Sequence, residues 1–113
     1  MTAPPASAQP SQLLRRDDDA GVVTLTLTSS QNRNALGLAM IDTLIVAFAD
    51  IAKDDRARVV LLTGEGPALS AGHNLREMQA HRNDPDRGRG YYEHLMERCS
   101  VLMQAIEIGR AHV

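Results

Sequence analysis

The residues with the clearest chemical potential are Ser70-Ala71-Gly72-His73-Asn74. They stand where an apolar stretch gives way to a helix start. Asn74 is a good N-cap, and Glu77 follows three residues later, as in a capping box. A tight turn entering a helix presents backbone N–H groups that no helical carbonyl can accept. The helix start adds a partial positive charge, so such a turn can meet negative charge on an oxygen. Gly72 permits a positive φ or a close backbone approach. On composition alone the segment also fits an ordinary glycine-containing strand-to-helix turn.

The other reactive side chains point to less. His81 and His94 lie in polar contexts and are expected at the surface, and no spacing of the histidines suggests a metal site. His73 has the side-chain type for proton transfer near neutral pH. Cys99, the single cysteine, lies on an apolar helical stripe and is expected in the core. Gly64-Glu65-Gly66-Pro67 is not a phosphate-cradling loop, because no Gly-Lys-Ser/Thr follows.

The elements that must hold the turn follow from periodicity. Val23, Leu25 and Leu27 alternate with Thr24, Thr26 and Thr28, the pattern of a half-buried strand. Ser29 to Asn34 is a polar turn. Ile41, Leu44, Ile45, Phe48, Ile51 and Ala52 form one stripe of a helix over 38–52. Val59 to Leu62 is a short apolar run suited to a strand covered on both faces. Leu75 to His81 is a short helix, and Asn83 to Gly90 a charged linker. A last helix carries Tyr92, Leu95, Met96, Cys99, Leu102, Met103 and Ile106 on one face, as core or subunit contact. The chain is thus α/β, in the order strand, helix, strand, short helix, long helix. Two strands cannot close a sheet, so the fold looks incomplete.

The chain has 113 residues, 43% hydrophobic and 23% charged, which suits one small globular unit rather than a disordered one. A net charge of −2 makes no electrostatic case for nucleic acid or an anionic membrane. No apolar run approaches the roughly 20 residues that span a bilayer. One cysteine allows no internal disulfide, which suits an intracellular protein. Residues 1–20, with Pro4, Pro5 and Pro10, are expected to form a disordered tail. They resemble neither a secretory signal nor an Arg-rich, acid-poor presequence, because Arg15-Arg16 runs into Asp17-Asp18-Asp19.

Three segments resemble the enoyl-CoA hydratase/isomerase (crotonase) family. Gly21 to Leu27 with Asn34-Ala35-Leu36 resembles its opening strand and Asn-Ala-Leu turn. Asp54-Asp-Arg-Ala-Arg-Val-Val-Leu-Leu-Thr-Gly-Glu-Gly66 resembles its second strand and loop. Leu69-Ser-Ala-Gly-His-Asn-Leu-Arg-Glu-Met78 is similar to the family's Phe-Ser-Ala-Gly-Ala-Asp-Leu-Lys-Glu-Met. His73 and Asn74 depart from the usual Ala and Asp.

The resemblance implies the N-terminal part of a crotonase-type ββα spiral over residues 21–107. It implies an acyl-CoA thioester as substrate, with coenzyme A part of that substrate and no separate cofactor. The backbone N–H of His73 becomes the first donor of an oxyanion hole for a thioester enolate. Ala71, Gly72, Asn74, Leu75, Arg76 and Arg33 become substrate-binding residues, the arginines toward CoA phosphates. Family acid/base groups are carboxylates further along, so His73 is not expected to transfer protons. The second oxyanion donor and those carboxylates follow a Lys-Pro-Val-Ile-Ala type strand that these residues do not include. The parent is expected to be a homotrimer or hexamer of the bacterial cytoplasm or mitochondrial matrix. A crotonase-like acyl-CoA-binding or regulatory protein without catalysis is the alternative. Ile108-Gly-Arg-Ala-His-Val113 reads like a translated adapter sequence, so residues 108–113 are expected to be non-native.

Overall fold

In the computed structural model, residues 13–67 and 69–111 are described; most of the expected tail, Ala68, His112 and Val113 lie outside them. Three strands form one sheet in the order β1-β2-β3: β1 (Leu14–Asp19), β2 (Val22–Leu27) and β3 (Val59–Gly64). The helices are α1 (Leu38–Ala52), α2 (Leu75–Ala80) and α3 (Arg89–Ala111), with short 3-10 turns at Ser30–Asn32 and His81–Asn83.

The disordered tail expected over residues 1–20 is corrected at its end, because Leu14–Asp19 is a strand antiparallel to β2. Its sequence, Leu-Arg-Arg-Asp-Asp-Asp, shows no apolar alternation. Backbone pairing carries it instead. Ala20 and Gly21 both have positive φ, 50° and 88°, as a two-residue hairpin of the type I′ class requires. Asp19 pairs with Val22 across that turn. Arg16 anchors the strand to the turn after α1 by bonding both Asp18 and Asp54, at 2.8 and 3.0 Å.

α1 occupies the range its apolar stripe predicts. Met40, Ile41 and Leu44 bury against Leu27, and against Leu95 and Leu102 of α3. Ile51 buries with Val23 and Leu25 of β2. Truncating a leucine, isoleucine or methionine buried like these to alanine costs about 2–5 kcal/mol.

β3 runs parallel to β2 but is not covered on both faces. Val59 and Leu61 are 48% and 53% exposed, because among β3 residues only Val60 packs against the core. The stripe on α3 also rotates from its expected position. Leu95 and Leu102 are buried, whereas Met96 and Met103 are about half exposed. Arg98 of α3 pairs with Asp42 of α1 at 2.8 Å.

The start of α3 is capped by Asp86, which accepts from the N–H groups of Gly88 and Gly90, each at 2.9 Å. These bonds, Gly90 first, hold the Asp86 carboxyl below the ordinary value of 3.8. A carboxyl depressed on folding contributes stability above its unfolded value and loses it as pH falls through the folded one. The first turn of α3 is therefore expected to loosen as pH drops from 3.8. Amide hydrogen exchange at Gly88 and Gly90, referenced to α1, measures this; protection there that ignores pH would contradict it.

Candidate functional site

The Ser70–Asn74 turn hangs from the loop between β2 and α1. Asn34 is the anchor. It is fully buried, and its Oδ1 accepts from the Ser29 N–H at 2.8 Å. Its Nδ2 donates to the Glu65 carbonyl at 3.1 Å. Its own carbonyl accepts from the Ser70 hydroxyl at 2.7 Å, and the Ser70 Oγ in turn accepts from the Gly72 N–H at 3.1 Å. Arg33 and Asn34 both adopt positive φ, 57° and 55°, which Asn tolerates better than most residues. Gly64 closes the anchor, since a Cβ there would lie 2.6 Å from the Leu69 carbonyl oxygen and 2.8 Å from Asn34 Nδ2.

Leu36 then makes a parallel bridge to His73. The Leu36 N–H donates to the Gly72 carbonyl at 2.7 Å, and its carbonyl accepts from the Asn74 N–H at 3.2 Å. Both flanking peptides are thereby committed on one side. In a parallel bridge the central residue turns its own N–H to the other side. The His73 N–H accordingly donates to no group among the described residues. Gly72 has φ +94°, and among the described residues no atom beyond its chain neighbours lies within 4 Å of the position a Cβ would take. The conformation, not crowding, is what calls for glycine there.

Asn74 caps α2 as its position predicts, its Oδ1 accepting from the Glu77 N–H at 3.1 Å. The reciprocal half of the capping box does not form. The Asn74 N–H is already taken by Leu36, and Glu77 turns away from its own helix. Its Oε2 accepts from the Leu38 N–H at the start of α1, at 3.1 Å, and from the Tyr91 hydroxyl of α3. α1 has only Gly37 as N-cap, with no side chain to satisfy that N–H. Burial, and then the Glu77 carboxylate, push the Tyr91 phenol upward, so it stays a neutral donor.

The expected site residues fall into two groups. Gly72, His73 and Asn74 form the turn itself, and Ala71 is joined to Arg33 by its N–H donating to the Arg33 carbonyl at 2.9 Å. Leu75 is 67% exposed just beyond the turn. Arg33 and Arg76 are exposed and form no ion pair with described residues. His94 is exposed as expected. His81 is less free than expected: its ring stacks on Tyr91 at 3.8 Å, and its Nδ1 lies 2.7 Å from Asp84 Oδ2. Cys99 is half-buried against the core. Periodicity carried no signal for Asn34, Glu77 or Tyr91 as site supports, although Asn34 belongs to the Asn-Ala-Leu turn.

The model of the enoyl-CoA hydratase/isomerase family matches residues 17–106. The chain is 30% identical over 108 residues to rat enoyl-CoA hydratase domain-containing protein 3, mitochondrial, covering 90% of this chain and 34% of that protein. The Gly-His-Asn-Leu sequence at 72–75, with Tyr91-Tyr92 and Cys99-Ser-Val-Leu-Met103, resembles that branch. Among solved structures, the enoyl-CoA hydratase of Mycobacterium smegmatis superposes with a TM-score of 0.74 and 47% identity, covering 83% of this chain and 35% of that one. Human enoyl-CoA hydratase domain-containing protein 3 superposes with a TM-score of 0.71 and 27% identity, over 81% of this chain and 34% of that one. The chain thus spans about a third of the length of these relatives. It belongs to the enoyl-CoA hydratase/isomerase family, with the crotonase fold.

Proposed function

We propose that this chain binds an acyl-CoA thioester and supplies the first donor of an oxyanion hole, the N–H of His73. The thioester oxygen gains negative charge as an enolate forms, and a fixed donor at a helix start lowers the energy of that state. The observation that carries the reading is the His73 N–H, without a partner among the described residues and held between two committed peptides. Because the donor is backbone, histidine in place of the family's alanine leaves it intact. Arg33 and Arg76 would meet CoA phosphates, and Leu75 would meet the acyl portion. The parent is then an enoyl-CoA hydratase, a lyase of fatty acid metabolism, in the bacterial cytoplasm or the mitochondrial matrix. It assembles as a trimer or paired trimers, and coenzyme A enters only as part of the substrate.

The alternative is a non-catalytic acyl-CoA-binding or regulatory homologue. It draws on His73 and Asn74 replacing the usual Ala and Asp. Asn74 favours it less than the sequence suggests, because asparagine performs the same capping an aspartate would.

Titration of the 15N-labelled chain with crotonyl-CoA, with free coenzyme A as control, tests the proposal. The His73 amide resonance is expected to move with crotonyl-CoA and to stay in place with free coenzyme A. The amide of a His73→Ala variant is expected to respond in the same way. A His73 amide that does not respond at saturating crotonyl-CoA would overturn the reading.

A further inference from the structure

We infer that Glu77 is a positioning residue for the His73 donor, acting through the start of α1 rather than through its own helix. The inference deepens the function proposed above and rests on it for its meaning, though not for its test. A backbone donor cannot be aimed by its own side chain. Its direction is set by whatever holds the peptides on either side. Here Leu36 accepts from Asn74 and donates to Gly72, and the Ser70 Oγ takes the Gly72 N–H. Leu36 in turn is two residues from Leu38, whose N–H is bound by Glu77.

The contacts therefore close into a ring. It runs from Leu36 to Asn74, from the Asn74 side chain to the Glu77 N–H, from the Glu77 carboxylate to the Leu38 N–H, and back along the chain to Leu36. His73 adjoins this ring, bridged to Leu36 and covalently next to Asn74. Tyr91 pins the carboxylate from α3, which itself packs on α1. His81 stacks against the Tyr91 ring and limits its movement. Gly37 leaves room for the carboxylate: a Cβ at that position would lie 2.8 Å from Glu77 Oε1. Glycine there is not required by its φ of −87°, which other residues adopt readily. Space for Glu77 is the remaining reason for it.

The ring is tested by the His73 amide resonance and its hydrogen exchange in the ligand-free chain. Glu77→Ala removes the link. Gly37→Ala keeps Glu77 chemically intact and displaces it. Both are expected to move the His73 resonance and to raise its exchange rate several-fold. Glu77→Gln keeps an acceptor for the Leu38 N–H and is expected to restore most of the wild-type signature. Ile51→Ala, which weakens the core at the opposite end of α1, is expected to leave the resonance in place. An unmoved resonance in Gly37→Ala and Glu77→Ala would overturn the inference, as would an equal movement in Ile51→Ala. Crotonyl-CoA added to the same samples separates the two ideas. A wild-type chain that ignores the ligand removes the acyl-CoA reading, while the ligand-free spectra still decide the role of Glu77.

Discussion

Asn34→Ala is expected to lower the stability of this chain by about 2–5 kcal/mol, from two independent losses. The first is hydrogen bonding. The side chain, fully buried itself, accepts from the N–H of buried Ser29 and donates to the Glu65 carbonyl. Leaving buried partners unsatisfied costs about 1–3 kcal/mol. The second is the backbone. Asn34 has φ 55°, where most L-residues are strained and asparagine is tolerated. Comparison of urea midpoints measures the sum. Asn34→Gly keeps the backbone conformation and loses only the bonds, so its midpoint is expected between wild type and alanine. An Asn34→Ala midpoint within the spread of ordinary surface substitutions, about 0.5 kcal/mol, would refute the anchoring role. The same variant is expected to release Ser70, whose hydroxyl bonds both the Asn34 carbonyl and the Gly72 N–H.

These 113 residues by themselves are expected to hydrate crotonyl-CoA at background rate. The resemblance places the second oxyanion donor and the acid/base carboxylates beyond the segment matched here, which is 34% of the rat relative. One missing oxyanion donor costs about 10²–10³ in rate. Missing general acid/base groups cost about another 10²–10⁴. Together these remove roughly 10⁴–10⁷ of any acceleration. Loss of the enoyl-thioester absorbance, followed against a buffer blank, is the measurement. Turnover above that blank would overturn the expectation. Binding of crotonyl-CoA without turnover agrees with it, because recognition and chemistry draw on different residues.

Features set by neighbours in the chain were legible in the sequence. α1 occupies 38–52 as its stripe predicts, β2 forms over its Val/Leu–Thr run although Thr26 is buried with Leu25 and Leu27, and Asn74 caps α2. Each depends on a period of 2 or 3.6, or on a cap within one turn. Gly72 was legible for the same reason, since a positive φ is a local demand. β1 was not, because its charged residues leave only backbone pairing and the Ala20-Gly21 turn to define it. Nor was the exposure of β3, Met96 and Met103, which depends on what packs beside them.

Glu77 shows the division most clearly. The sequence by itself determined that a carboxylate would stand three residues after an N-cap. Only the tertiary structure decided which N–H it would take. Leu36 had already satisfied Asn74, and α1 had an uncapped first turn within reach. A hydrogen-bonding group goes to the donor left without a partner, and that donor is known only once the elements have met. The same holds for His73. Its residue type and place in the turn were in the sequence, but its N–H is left without a partner among the described residues because Leu36 packs beside it and claims both neighbours.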